Sequence, residues 1–293
     1  VIVFLLLHLT PGDPAALIGG DLASDEDLRK IREQLGLERP LIEQFGSWIW
    51  QVLQGDLGNS LFAQLPVSHL ILQRLEPTVT IGLCIMIIAV VVAVPLGVIA
   101  AWKAGTWVDQ VIMAAAVLAF SMPIFLIGYL LMVKFGVELR WFPIRGYRPI
   151  AQGFGEFMRH IILPSVTVSF VYIALLTRMT RATMLDILNQ DYIRTARAKG
   201  VATPKLLALH ALKNAAVPIV TTIGLGLSSV LGGIVVTETV FAIPGIGRLL
   251  IDAILRRDFP IIQGVILVFS AFYVLINLLI DLSYSLFDPR IRY

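Results

Sequence analysis

The sequence predicts an all-α integral membrane protein. Hydrophobic side chains make up 57% of the 293 residues and charged ones only 15%. Soluble domains carry roughly 25% charged residues. Mean hydropathy is +0.85, and the apolar residues gather into runs of the length a bilayer-crossing helix needs, about 20 residues. No segment of about ten residues with strand-like alternation repeats along the chain, which excludes a β-barrel.

Taken in order, the chain is expected to make six spans. Val1 to Leu9 is apolar but short, with no basic n-region and no small-residue cleavage site. It reads as the second half of a first transmembrane helix and not as a signal peptide. Residues 10–76 are polar enough to lie outside the bilayer. Ser24 is placed to cap a helix from Asp25 to Leu35, with Asp27 in the capping-box position and Gly36 ending it. Leu41 to Leu53 gives a second, amphipathic helix with Phe45, Trp48, Ile49 and Val52 on one face. Gly55, Gly58 and Pro66 mark loops. This external segment is either a small helical cap packed on the bundle or a lid and docking surface for an outside partner.

The core, residues 77–293, follows with spans expected over Thr78–Trp102, Val111–Val133, Ile161–Leu176, Ala215–Val236 and Ile261–Leu286. Pro95 and Pro123 fall inside two of them, which membrane helices tolerate when neighbours re-satisfy the freed carbonyls. The third of these is short and ends at Arg178 and Arg181, whose stems can snorkel to the interface. The whole chain reads as one transmembrane domain.

The longest basic interruption of the second half lies within a loop over residues 182–213, and its local signals define two helices meeting at a glycine. Asp191 is placed as N-cap, Tyr192 to Lys199 make two turns, and Gly200 supplies a left-handed stop with Arg197 and Lys199 near the negative helix end. Thr203 and Pro204 restart the chain as N-cap and first helical residue, and this second helix runs into the apolar stretch beyond Ala215. Eight residues make a marginal helix alone, so a partner surface is expected to hold it. Thr195, Ala196 and Ala198 are small, while Arg194, Arg197 and Lys199 are cationic. Such a face suits docking into a protein groove, or equally a cytoplasmic loop whose cations snorkel towards headgroups. Arg178 to Lys213 carries seven basic residues against Asp186 and Asp191, which places it in the cytoplasm. The preceding connection, Lys134 to Arg159, carries five basic residues on the opposite side, so the charge signal is mixed.

Ala215 to Val236 is rich in small and hydroxylated residues: Thr221, Thr222, Gly224, Gly226, Ser228, Ser229, Gly232 and Gly233. The spacings Gly224/Ser228 and Ser229/Gly233 favour close helix packing, and the hydroxyls would also suit a translocation pathway. Ser121, beside Met122 and Pro123, is a second candidate lining. Beyond that helix, Pro244, Gly245, Gly247, Arg248, Arg257 and Asp258 fall in a stretch where the glycines make a re-entrant-like turn plausible. Arg248, Asp252 and Asp258 are expected to form a polar network there; a plain turn with interfacial ions is the alternative.

Several chemistries lack their equipment. There is no GxxxxGK[ST] to cradle phosphate and no GxSxG. His8, His69, His160 and His210 are scattered, with no HExxH, so neither a metal site nor a catalytic residue is expected. No aspartate pair lies within the spans, and Glu238 and Asp281 sit near helix ends, which argues against a proton relay. The single cysteine, Cys84, allows no internal disulfide. A net charge of +3, with cations not interleaved with aromatics, argues against nucleic acid.

Three separated motifs resemble one family. They are Pro11-Gly12-Asp13-Pro14 with Gly55-Asp56-Leu57-Gly58-Asn59-Ser60-Leu61; Thr195-Ala196-Arg197-Ala198-Lys199-Gly200 with a following proline; and Pro244-Gly245-Ile246-Gly247-Arg248 with Arg256-Arg257-Asp258-Phe259-Pro260. Together they are similar to ABC-importer permeases of the dipeptide, oligopeptide and nickel branch, from about Thr10 to Arg292. The resemblance implies a type I importer transmembrane domain: six helices, with an external helical insertion after the first. It implies a coupling helix over Asp191–Gly200 gripped by an ATPase, and an external gate loop over Pro244–Asp258. Arg194 stands where the family's glutamate would be and Lys213 where a distal proline would be, so that glutamate contact is not carried over. The implied partners are a homologous second permease, two ATPase subunits, an extracytoplasmic substrate-binding protein and the bilayer of the cell inner membrane. ATP and magnesium would sit on the ATPases, leaving this chain without cofactor or catalysis. Peptide, nickel and glutathione are all open as cargo. A lone secondary transporter or channel and a membrane scaffold or enzyme are the competing classes.

Overall fold

The computed structural model describes residues 3–5, 24–34 and 38–287. The motif Pro11–Pro14, Gly36 as helix stop, and the final residues 288–293 lie outside them. So does most of the expected first helix, although residues 3–5 are helical. In chain order the helices are α1 (Asp25–Gln34), α2 (Leu41–Leu53), α3 (Val67–Trp102), α4 (Trp107–Ser121), α5 (Ile124–Leu131) with a π turn over Met132–Glu138, and α6 (Phe154–Leu188). They continue as α7 (Asp191–Ala198), α8 (Thr203–Lys205) with a π turn over Leu206–Leu212, α9 (Ala216–Val240), α10 (Ile246–Arg256) and α11 (Phe259–Phe287).

Four of these helices are long and apolar enough to cross a membrane, or five spans result if the bent pair α4–α5 counts as one. The expected Val111–Val133 span is not one continuous helix: the chain turns by 101° between α4 and α5. The cause is Pro123, which disfavours helical backbone at the residue before it; Met122 is extended at φ −84°, ψ 133°. Two other expected spans were too short. α3 begins at Val67, not Thr78, because Val67, Leu70 and Ile71 bury one face of its first turns. α6 runs 35 residues instead of the expected Ile161–Leu176. Its polar first and last turns hid its length, yet Phe157, Thr180 and Met184 at those ends are buried.

The chain forms two compact units, Val1–Leu75 with Arg248–Ala271 and Glu76–Gly247 with Phe272–Tyr293. In the first, Phe4 packs against α2, its ring 5.3 Å from Phe45 and 5.8 Å from Trp48. Phe45, Trp48 and Val52 are half-buried, as their shared face predicts, whereas Ile49 stays exposed.

In the second unit, α3, α5, α6 and α9 enclose a core that includes Ile81, Ile85, Ala89, Ile161, Val168, Leu176, Val230 and Ile234. Small residues set the close approaches. A Cβ on Gly97 would lie 2.9 Å from the Thr177 carbonyl oxygen, and one on Gly233 3.2 Å from Val168. One on Gly224 would fall on the Ile280 side chain. The small-residue spacing of α9 is thus used in packing, against α6 on one side and α11 on another.

Candidate functional site

The basic loop folds much as its signals predict, with caps shifted by one residue. α7 spans Asp191–Ala198, so Gln190 occupies the N-cap position and Asp191 the first helical one. Asp191 still lies where a negative charge favours the helix N-terminus. Likewise Ala202, not Thr203, precedes the short α8. The second helix does not run straight into the apolar stretch. A π turn and a three-residue turn intervene before Ala216, and Pro218, which has no N–H for the Asn214 carbonyl, accounts for a break there.

The end of α7 is a Schellman motif. Gly200 adopts φ +78°, its N–H donates to the Arg197 carbonyl at 3.0 Å, and the Val201 N–H donates to the Ala196 carbonyl at 3.2 Å. Val201 and Ala196 then pack on one apolar cluster with fully buried Ile193, Met184, Leu206, Ala211 and Ala215. The surface that holds this short helix is therefore the chain's own, and Ile193 is the anchor. This corrects the expectation that a partner is needed to hold it. Asp191, Tyr192, Arg194, Thr195, Arg197, Ala198, Lys199 and Gly200 remain exposed, and Ala196 is half-buried. The anchored helix thus presents a cationic outer face (Arg194, Arg197, Lys199) with small residues between. The Arg194–Asp191 pair at 3.6 Å is open to solvent and holds little.

At the end of α9, within the same unit, Glu238 is fully buried. Its Oε1 accepts a hydrogen bond from the Thr78 hydroxyl at 2.6 Å, and the Thr78 Oγ1 accepts one from the Ile246 N–H at 2.8 Å. The two loop glycines make room for this carboxylate: a Cβ on Gly245 would fall on it, and one on Gly247 would sit 2.7 Å from the Val235 Cα. Pro244 precedes them, and the left-handed Ala242 at φ 53° turns the chain back over the helix end. The motif Pro244–Gly247 is thus a cover folded onto a buried acid.

In the first unit, Asp258 is also buried and takes hydrogen bonds from the Ser60 hydroxyl at 2.5 Å and the Leu61 N–H at 3.3 Å. Gly55 and Gly58, at φ +81° and +79°, shape the loop that presents Ser60. Arg257, at φ 57°, aims Asp258 back at it. Two motifs nearly two hundred residues apart are joined by this contact. Arg248 pairs with Asp252 at 4.0 Å on the exposed side of α10. A cavity of about 160 Å³ lies between, bounded by Ser60, Phe62, Arg74, Asp252, Arg256 and Asp258 among others.

Most candidate pathway hydroxyls are turned to their own helices. Thr221, Thr222, Ser229 and Ser121 each donate to a backbone carbonyl three or four residues earlier, at 2.8–2.9 Å. Ser229 also meets the Tyr172 hydroxyl at 3.2 Å. Ser228 is buried, and its hydroxyl has no hydrogen-bond partner among the described residues.

Residues 93–293 match the family model described as binding-protein-dependent transport system inner membrane component, and residues 1–82 match its N-terminal companion. This chain belongs to that family of importer permeases. A probable peptide ABC transporter permease of Sinorhizobium fredii is 50% identical over 293 residues, 100% of this chain and 94% of that protein. A glutathione transport system permease of Escherichia coli O6:H1 is 43% identical over 100% of this chain and 93% of its own length. A chain of the MetNI methionine ABC transporter, solved in an inward-facing conformation, shares the fold at TM-score 0.62 and 15% identity. That match covers 75% of this chain and 96% of the other. The protein is thus a multi-pass membrane permease with the type I importer fold, and its family implies ATPase and binding-protein partners.

Two features of this permease escape sequence reasoning. Glu238 sits near a helix end as expected, but its burial under the glycine loop depends on Thr78, 160 residues away. Asp109 and Arg181 form a bidentate pair, Nε to Oδ1 at 2.6 Å and Nη2 to Oδ2 at 2.7 Å, and the Gly105 N–H adds a bond to Oδ2 at 3.0 Å. The pair joins α4 to α6, whereas Arg181 alone reads as a snorkelling residue. Only its spacing of three residues from Arg178 (exposed-side partner of the Phe120 ring at 5.0 Å) hints that the two cations face different surroundings.

Proposed function

We propose that this permease forms half of the translocation pathway of an ATP-driven peptide importer in the cell inner membrane, and that α7 is its coupling helix. The observation that carries the reading is the construction of α7. Ile193 and the Gly200 turn fix it rigidly to the chain's own core, while a cationic, small-residue face is left outward. A force applied to that face passes into Met184 of α6 and Ile219 of α9, which share the cluster. The bundle then rocks between outward- and inward-facing states.

The chain contributes no catalytic residue and holds no metal or nucleotide. ATP and magnesium sit on two ATPase subunits, a homologous second permease completes the pathway, and an extracytoplasmic binding protein delivers cargo. Pro244, Gly245, Gly247, Arg248, Arg257 and Asp258 act on the external side as gate elements, with Ser121, Thr221, Thr222, Ser228 and Ser229 along the path. The peptide permease relative supports peptide as cargo; the glutathione permease relative supports the tripeptide glutathione as a second reading, and nickel is a third.

Gly200→Pro tests the coupling role. Proline can neither adopt φ +78° nor donate to the Arg197 carbonyl. The expected result is loss of ATP-driven uptake by a complex that still assembles. Wild-type uptake by that variant would refute the assignment.

A further inference from the structure

On the side of the second unit remote from α7, the connection between the π turn and α6 forms a cavity of about 420 Å³. Its walls carry Arg140, Arg159, His160 and Glu156 together with Phe142, Pro143 and Ile144. α6 runs 35 residues from this cavity to the α7 loop, about 50 Å, so the two lie beyond opposite edges of a hydrocarbon core about 30 Å thick.

The charges here are not balanced. From Lys134 to His160 the chain places five Lys and Arg residues against Glu138 and Glu156. Lys134 is taken up by Glu138 at 2.7 Å, and Arg159 by Glu156 at 3.3 Å and the Trp141 carbonyl at 3.5 Å. His160 Nδ1 lies 2.7 Å from the Glu156 carbonyl, an acceptor, which leaves Nε2 available. Arg140 makes no hydrogen bond or ion pair among the described residues. It is also held at φ 55°, a left-handed conformation uncommon for a side chain of this size. A strained backbone thus directs an uncompensated guanidinium to the rim of a cavity whose other guanidinium, Arg159, is paired with Glu156. Trp141, between the lining residues Arg140 and Phe142 in sequence, and Phe154, two residues before Glu156, are exposed at 57% and 67%, and aromatics are the residue class that settles at the membrane–water interface.

We propose that this cavity binds the phosphate-bearing headgroup of an anionic phospholipid, phosphatidylglycerol being the simplest example. Arg140, the uncompensated cation, meets the phosphate; Arg159, held by Glu156 at 3.3 Å, adds a second donor from beside that pair, and His160 serves a headgroup hydroxyl. The apolar wall of Phe142, Pro143 and Ile144 runs beside the acyl chains. That apolar flank selects a lipid over a free phosphate ion.

The test uses purified permease in neutral detergent. Retained lipid is read by native mass spectrometry while phosphatidylglycerol or phosphatidylcholine is titrated, with and without millimolar inorganic phosphate. Arg140→Gly removes the guanidinium and suits the left-handed backbone, so it does not threaten folding. Each cation near an anionic lipid is worth roughly fivefold in affinity. The expected result is a preference for phosphatidylglycerol that falls about fivefold in Arg140→Gly and further when Arg159→Gln is added. Inorganic phosphate leaves that preference intact. Equal retention of both lipids, or retention unaffected by both substitutions, overturns the proposal. Displacement of the lipid by inorganic phosphate assigns the cavity to a soluble anion and also overturns it. So does unchanged lipid retention accompanied by loss of binding-protein capture, which makes this a protein-docking surface.

Discussion

Replacing Asp109 by asparagine would leave the Arg181 guanidinium between α4 and α6 without its counter-charge. The Asp109 side chain is 6% exposed and that of Arg181 26%, and the two bonds between them are short and parallel. Removing one partner of a fully buried pair costs about 3–5 kcal/mol. Partial exposure of Arg181 lowers this to about 2–3 kcal/mol, because water screens part of the stranded charge. At about 2–4 °C per kcal/mol for a chain of this order of size, the midpoint of thermal unfolding falls by about 5–10 °C. Arg181→Met should cost a similar amount, since it strands the carboxylate. The double variant should recover much of the loss, because both charges are then gone. Thermal unfolding of the four proteins in one detergent closes the double-mutant cycle. Additivity of the two single losses to within about 0.5 kcal/mol would refute the interaction.

Two further expectations rest on equally local geometry. Gly245→Ala drives a methyl into the buried Glu238 carboxylate and should cost about 3 kcal/mol or more, whereas Gly155→Ala at the open first turn of α6 should be close to neutral; equal melting points would contradict the packing of the glycine loop. Tyr147 is pushed up to about 12 by burial, with Glu76 beside it adding to the rise and the Thr80 bond opposing it. Its neutral hydroxyl donates to Glu76 at 3.1 Å. A raised tyrosine adds stability that is complete below the unfolded value near 10 and is lost as pH rises through the folded one. Ultraviolet titration should therefore show a late tyrosine component that shrinks by one group in Tyr147→Phe.

The sequence made the membrane class and most helix positions legible because hydropathy runs and glycine signals are local. Gly200 predicted the Schellman end of α7 from one residue type, and Leu41–Leu53 appears with the boundaries its amphipathic pattern implies. Where polar turns extend a buried helix, as at both ends of α6, local hydropathy understates its length. At Met122 a single proline outweighed an apolar run. The contacts that build the sites are less legible still. Ser60 with Asp258, Thr78 with Glu238, and Asp109 with Arg181 each join residues far apart in sequence. A buried acid in such a pair looks, residue by residue, like any polar group at a helix end. The glycines of Pro244–Gly247 marked a special turn, but what they make room for is visible only in three dimensions.

The proposal that an ATPase grips α7 on the cytoplasmic side is tested most directly by a cross-link. Ala198 is exposed on that helix, whereas Ala196 is half-buried against the cluster under it, so Ala198 is the better probe. With Cys84 replaced by serine, Ala198→Cys is co-expressed with the ATPase subunit and treated with a bifunctional thiol reagent, with and without nucleotide. The expected result is a cross-link to the ATPase whose yield changes with nucleotide. No cross-link, with the Ala198→Cys thiol instead labelled by an impermeant reagent from outside, would contradict it.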